Sequence, residues 1–298
     1  MVDVVVIGGS YAGLSAALQL ARARRRVAVV DAGRRRNRFA GASHGFLGQD
    51  GVAPADIAAR GRAELTAYPT VTWIEGAAVR ASGALDAFAV ELASGERLEA
   101  RRVILALGVE DELPAVPGLA ERWGRAVFHC PYCHGYELGG GPVAVLGTGP
   151  LSVHQALMLP DWGPTTYFTR GLHVPSEEEA AELRARGVTV VPGEVARIEG
   201  EEHAVAIHLA SGEVRGPFAG AFTASRTRIP SDLPEQLGCA LDEGPTGLYV
   251  RTDAWKASTV AGVFACGDAA LAAGSVAFAV GDGARAGIAS HRTLLFGA

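Results

Sequence analysis

Residues 128–137 read FHCPYCHGYE. Cys130 and Cys133 stand three apart, and each has a histidine beside it, His129 and His134. Three chemistries use such a group: metal binding, a static staple and electron transfer. Zinc takes about four ligands. The cysteines supply two, the histidines are chain neighbours that would struggle to complete the same tetrahedron, and the chain has no second CxxC and no HxxxH, so no metal is expected. A disulfide between residues this close in sequence closes a tiny loop and stabilises little. What remains is a redox dithiol. A CxxC at a helix start lowers a thiolate pKa, and the thiolate is the reactive form. His134 can move protons to or from the pair. Glu137 either does so through water or is a plain helix-surface acid. Cys239 and Cys266 stand alone and read as small buried hydrophobes.

Such a pair needs an electron partner and elements to hold both. The chain opens with an apolar strand (DVVVIGG), an Ala- and Leu-rich helix (SYAGLSAALQLARAR) and a second strand (RVAVVD), a βαβ unit with glycines at its first turn. A dinucleotide turn wants small residues where the chain bends, where pyrophosphate approaches and where helix meets strand. Gly8 and Gly13 fit, and Ser10 stands where a second glycine is usual. Asp31 ends the second strand and can accept hydrogen bonds from a ribose diol, while the helix N-terminus offers N–H groups to phosphate.

A second unit begins at residue 142 with PVAVLGTGPLSVHQALMLP and TTYFTRG. Gly147 and Gly149 keep two glycines of its turn. Arg170 either faces a 2′-phosphate, favouring NADP, or is an ordinary surface arginine. In each half short strand-like pieces follow the βαβ unit, over 71–106 and again over 188–224, so one plan is used twice. Proline and charge cluster near 110–118 and 226–234, where linkers are expected. Near the C-terminus GVFACGDAA ends a buried strand in Gly267-Asp268. Asp268 either bonds the ribityl chain of a flavin or caps a helix.

The 298 residues are 49% hydrophobic, enough for about two domains. A net charge of −5 argues against a nucleic-acid partner, and the arginines at 34–36 and 38 read as a solvated edge or a phosphate neighbour. No apolar run reaches the ~18 residues a membrane span needs, and the chain opens directly into a strand without the basic region of a signal peptide. A cytoplasmic location is expected, where a CxxC is redox-active or metal-binding rather than structural.

Taken in order, VVVIGGSYAGLSAAL, ALG at 106–108, CPYCHGYE, AVLGTGPLS and GVFACGD resemble the low-molecular-weight thioredoxin reductases over nearly the whole chain. The resemblance implies an α/β fold of two Rossmann-like three-layer domains. A discontinuous FAD domain takes 1–112 and 230–298, and an inserted NAD(P)-type domain with the CxxC takes 113–229. It implies a homodimer, and FAD held by Gly8, Ser10, Tyr11, Ala12, Gly13, Asp31, Ala32, Gln49, Val79, Ala106, Gly108, Gly267, Asp268, Ser275 and Val276. His44 either lines the flavin or substrate pocket or is an ordinary loop histidine. Cys133 is the implied partner of the flavin, Cys130 the one that exchanges with substrate sulfur, and His134 the proton shuttle.

The chain departs from that family in places. His134 replaces the usual Asp after the second cysteine, and FTRG replaces an arginine-rich NADPH-reading stretch. Gly274-Ser275-Val276 stands where Arg-Gln-Ala is usual, and Ala106-Leu107-Gly108 where Ala-Thr-Gly is usual. CPYCHGYE, SHGFLGQDG and LSVHQAL look more like a branch of dithiol oxidases that close the disulfides of gliotoxin-, holomycin- and romidepsin-type products. The expected function is oxidation of a small-molecule dithiol through the CxxC to FAD, with oxygen or NADP as acceptor. The alternative is NADPH-dependent reduction of thioredoxin or a related small disulfide protein. The intact CxxC counts against a flavin-bound sensor without turnover.

Overall fold

The computed structural model describes residues 1–201, 203–271 and 274–297. They fall into two compact units: Met1–Arg38, Pro54–Glu110 and Thr227–Ala298 make the first, and Phe39–Ala53 with Asp111–Arg226 the second.

The first unit starts with β1 (Val2–Ile7), α1 (Tyr11–Arg22), β2 (Val27–Asp31), α2 (Pro54–Thr66) and β3 (Val71–Glu75). β4 (Ala78–Ala84), β5 (Ala87–Leu92) and β6 (Arg97–Leu105) follow. The sheet order is β3-β2-β1-β6-β5-β4. β1, β2, β3 and β6 run parallel, and β4 and β5 add an antiparallel edge. Val4, Val5 and Val6, with Val27 to Val30, are shut from solvent, as strands covered on both faces require. The α1 helix is shorter than its apolar pattern suggests, because Arg24 turns to φ 59° and stops it.

The chain leaves through β7 (Glu110–Glu112) and enters the second unit with β8 (Val127–Phe128), α3 (Pro131–His134), β9 (Val143–Leu146) and α4 (Leu151–Met158). Next come β10 (Thr165–Phe168), α5 (Glu177–Ala185), β11 (Thr189–Val191), β12 (Val195–Glu199), β13 (Val205–Leu209), β14 (Val214–Phe218) and β15 (Gly220–Thr223). A parallel sheet, β11-β10-β9-β15-β8, carries the nucleotide-type turn, and β12-β13-β14 form a separate antiparallel sheet. The two excursions are thus built differently. In the first unit the excursion is hydrogen-bonded into the main sheet through β6, and in the second it stands alone. α5 owes its start to a complete capping box between Ser176 and Glu179.

The return runs through β16 (Arg226–Arg228), α6 (Leu233–Gln236), β17 (Leu241–Glu243), β18 (Leu248–Val250), β19 (Val263–Ala265) and α7 (Val276–Phe296). β19 joins the first sheet parallel to the C-terminal half of β6, whose N-terminal half pairs with β5. α7 lies directly on α1. A Cβ on Gly283 would sit 2.0 Å from the Ala12 carbonyl oxygen, and one on Gly287 2.4 Å from that of Ala16. Beneath, the buried guanidinium of Arg102 ties β6 to α7 through the Thr293 carbonyl and hydroxyl. Among the described residues no helix is long and apolar enough to cross a membrane.

The sequence boundaries put all of 1–112 in one domain; the compact units instead place Phe39–Ala53 with the CxxC. This segment has no helix and no strand of its own. Within that unit His44 Nδ1 stands 3.3 Å from Glu137 Oε1, a long-range contact that local periodicity does not register.

Candidate active site

In the first unit the turn after β1 has the shape a phosphate needs. Gly8 adopts φ 111°, and a Cβ there would lie 2.1 Å from the Ala106 carbonyl oxygen; one on Gly13 would lie 1.8 Å from the Gly8 carbonyl oxygen. Only hydrogen fits at either place, so the turn, the end of β6 at Ala106–Gly108 and the start of α1 are pressed together. Ser10 is the N-cap of α1, with its side chain making no capping bond and no acid in the first turn. The N–H groups of this twelve-residue helix thus point out unanswered by side chains, a fit for pyrophosphate. The Tyr11 hydroxyl is fixed by the Pro54 carbonyl at 3.1 Å and by Asn37, and burial raises its pKa.

Asp31 closes β2 and its Oδ1 accepts from the Gly9 and Gly33 N–H groups at 3.3 and 3.1 Å, which leaves Ala32 exposed at the corner. Gly76 N–H donates to the Asp31 carbonyl at 2.9 Å and starts the run to Val79, a half-exposed β4 residue whose carbonyl accepts from Gln236. On the other side Gly267, at φ 70°, packs on Ala12, where a Cβ would come within 2.8 Å of the Ala12 methyl. Asp268 lies inside a 3₁₀ turn whose N-cap is Cys266, so it is not a helix cap. Arg36 Nη1 instead donates to its Oδ2 at 2.9 Å. Arg36 is thereby drawn to Asp268, out of an arginine run that the sequence reads as a solvated edge or a phosphate neighbour; no local signal distinguishes it from Arg34, which pairs with Glu110. Ser275 caps α7 through its Oγ, which accepts from Phe278 N–H at 3.2 Å, and Val276 opens the helix.

In the second unit Cys130 is the N-cap of α3, Pro131 holds its first position, and Cys133 N–H donates to the Cys130 carbonyl at 3.2 Å. Both cysteines are half-buried. The helix start foreseen for the CxxC is therefore present. His134 follows on α3 with its ring stacked on Phe128, centroids 4.4 Å apart and planes inclined by 22°. Burial, and after it the nearby His44, lowers its pKa to about 4, so it is neutral at physiological pH. His44 reaches this unit on the Phe39–Ala53 loop. Its Nδ1 stands 3.3 Å from Glu137 Oε1 and 3.6 Å from Asp50 Oδ1. The loop also carries Gln49, which the resemblance implies for FAD, and both His44 and Gln49 lie in the compact unit of the CxxC.

The second nucleotide-type turn is engaged with itself. Thr148 N–H donates to Ser152 Oγ at 2.8 Å, and the Thr148 hydroxyl to the Ala224 carbonyl at 2.8 Å. Pro150, without an N–H, is the N-cap of α4. Arg170, at φ 56°, folds back so that Nη1 donates to the Gly147 carbonyl at 2.9 Å. Further along α4, Gln155 Nε2 donates to the His129 carbonyl at 2.7 Å, joining that helix to the residue before Cys130. Cys239 and Cys266 are buried as expected, and burial pushes the Cys266 thiol up to about 12, out of reach of redox chemistry at neutral pH.

Residues 2–286 match the family model described as pyridine nucleotide-disulphide oxidoreductase. The chain is 32% identical to a Claviceps purpurea protein named thioredoxin reductase tcpT, over 99% of this chain and 95% of that one. An oxidoreductase of Agrobacterium tumefaciens superposes with a TM-score of 0.96 at 55% identity, covering 99% of each chain. The crystal structure of HlmI superposes with a TM-score of 0.91 at 39% identity, covering 99% of this chain and 92% of that one.

Proposed function

The chain belongs to the pyridine nucleotide-disulphide oxidoreductase family and is an FAD-dependent thiol-disulfide oxidoreductase, and within that premise we propose that it is a dithiol oxidase acting on a small molecule. The Cys130–Cys133 disulfide would take the two electrons of the substrate dithiol. FAD, when bound, would supply the two-electron acceptor for the reduced pair, with dioxygen rather than NADP as the final acceptor. FAD is held by the Gly8–Gly13 turn, the α1 N-terminus, Asp31, Ala106–Gly108 and Asp268, where the hydrogen-only contacts at Gly8 and Gly13 and the uncapped helix start fit its pyrophosphate.

The observation that carries the oxidase reading is the self-engaged turn of the second unit. The Thr148 N–H that a dinucleotide phosphate would use is given to Ser152, and the guanidinium placed to read a 2′-phosphate is given to Gly147. NADPH would have to displace both bonds before gaining its own. The CPYCHGYE resemblance to dithiol oxidases points the same way. His134 is neutral at physiological pH and so is in the form that accepts a proton, the direction that dithiol oxidation demands, though as a weak base.

The competing reading is NADPH-dependent reduction of thioredoxin or a similar small protein, which the name of the Claviceps relative suggests. Anaerobic stopped-flow spectroscopy of the flavin-loaded protein separates them. Bleaching by dithiothreitol with recovery on admitting oxygen, and none by micromolar NADPH, supports the oxidase. Rapid bleaching by micromolar NADPH overturns it.

A homodimer in the cytoplasm completes the proposal. Phe278, Ile288, Leu295 and Phe296 leave much of their apolar surface exposed along α7, which supports self-association. Sedimentation at micromolar concentration tests it, a monomer counting against.

A further inference from the structure

We propose that Tyr132 and Tyr136, the first of them braced by Trp162, form an aromatic shelf beside Cys133 that selects dithiol substrates carrying a flat ring. The proposal rests on the small-molecule dithiol oxidase reading and names the class of substrate taken at the same cysteines.

The shelf follows from how the CxxC segment is wound. α3 runs on through Gly135, at φ −67° and ψ −36°, into a 3₁₀ turn over Tyr136–Leu138, so residues 131–138 make one helical stretch. Burial keeps that period: Pro131, Gly135 and Leu138 are shut in, and Tyr132 and Tyr136 stand out. Residues four apart share one side of a helix, so the two tyrosines do. Cys133, three residues before Tyr136, borders that side.

Both rings are left in water. Tyr132 is 72% exposed and Tyr136 85%, although burying an aromatic ring is among the larger gains a fold can make. Tyr132 is nevertheless held in place. Its ring meets Trp162 edge-on, centroids 5.3 Å apart and planes at 90°. Trp162 ends a 3₁₀ turn over Leu159–Asp161 and is seated against Gly135, where a Cβ would come within 2.6 Å of its Cδ1. Any side chain at that position would push the indole off the helix and take the brace away. A ring that is fixed and yet faces solvent has lost its freedom before a ligand arrives, which lowers the cost of binding.

The dimensions decide the occupant. Cβ atoms four residues apart on a helix lie about 6 Å from each other, a span that one ring system covers. A stable protein partner buries about 800 Å² on each side, more than two ring faces offer. Aromatic rings in offset or edge-to-face contact gain beyond the area they bury. A dithiol with a flat ring therefore gains from both tyrosines while its thiols stand at the edge where Cys133 lies. An open-chain dithiol gains little there.

The test compares dithiothreitol with ortho-xylylenedithiol. Each gives two electrons and two protons to the Cys130–Cys133 disulfide and leaves as a cyclic disulfide of the same ring size; they differ in the flat ring. Oxidised, flavin-loaded, full-length protein is mixed anaerobically with a concentration series of each and quenched with acid, and the cyclic disulfide is measured by chromatography. The double variant Tyr132→Ser, Tyr136→Ser should lower the aromatic-to-aliphatic rate ratio about tenfold from that of the wild type. The fall should come through a higher half-saturating concentration of the aromatic dithiol rather than a slower maximal rate. Tyr132→Phe with Tyr136→Phe should keep the ratio, and Trp162→Leu should lower it in part. The ratio is taken within one protein, so a general loss of folded molecules cancels. An unchanged ratio in the serine variant overturns the shelf, as does a fall carried by the maximal rate alone. Reduced thioredoxin serves as a third dithiol: if the serine variant slows it more than the aromatic dithiol, the surface belongs to a protein partner and the proposal fails. If the wild type forms no disulfide from either small dithiol, the dithiol oxidase reading fails and the shelf with it, an outcome distinct from an unchanged ratio.

Discussion

The imidazole of His134 lies nearly flat on the ring of Phe128, 4.4 Å between centroids, on the residue that follows Cys133. Desolvation there penalises the imidazolium, and His44 adds to it. With the folded pKa at about 4 and the ordinary value near 6.5, the unfolded chain binds the extra proton between those two values. Stability should therefore rise with pH across that window, and His134→Gln should flatten the rise. Urea unfolding at a series of pH values measures it.

Phe128→Leu should move the His134 titration back toward the ordinary histidine range by admitting water to one face of the ring. The acid limb of the dithiothreitol half-reaction should shift upward with it. NMR titration of the His134 ring protons gives the first, and rapid-quench rates give the second.

Gly13→Ala should cost flavin and stability together. The new methyl would meet the Gly8 carbonyl 1.8 Å away, so the turn must open and the phosphate cradle with it. We expect a loss of about 1–3 kcal/mol, the usual range for forced overpacking. The flavin-to-protein absorbance ratio of the purified variant should fall. Gly283→Ala, 2.0 Å from the Ala12 carbonyl, should weaken α1 against α7 by a similar amount while leaving the turn's own backbone unobstructed.

Arg36 and Asp268 should behave as one unit. Each side chain is less than a quarter exposed, 23% and 17%, so removing either takes a charged partner from a part-buried charge. Arg36→Met and Asp268→Asn should each lower stability by about 1–3 kcal/mol, and the double variant by less than the sum. Thermal melts of the four proteins close the cycle.

Ser152→Gly should release Thr148 N–H and tighten NADPH binding several-fold over the wild type, because one of the two bonds that fill the turn is gone. Fluorescence titration with NADPH reads this. Unchanged affinity would mean that the self-engaged turn is not what limits the nucleotide.

Much of this protein was legible along the chain. The valine runs and the Ala-rich helix declare a parallel sheet through burial period alone. Gly8 and Gly13 declare a phosphate turn because no side chain fits there. A CxxC with proline at a helix start declares redox chemistry through the electrostatics of the helix end. Each signal is local, set by residues within one or two turns of each other. The tertiary structure decided what depends on distant partners. His44 joins Glu137 across more than 90 residues, and Arg36 joins Asp268 across 232. Arg170 turns onto Gly147 rather than outward. The reason is physical: a charged or titratable side chain on an irregular loop carries no periodicity, and its partner is chosen by how the sheets bring loop ends together. Sequence set the turns and the dithiol, and folding set which charges answer one another around them.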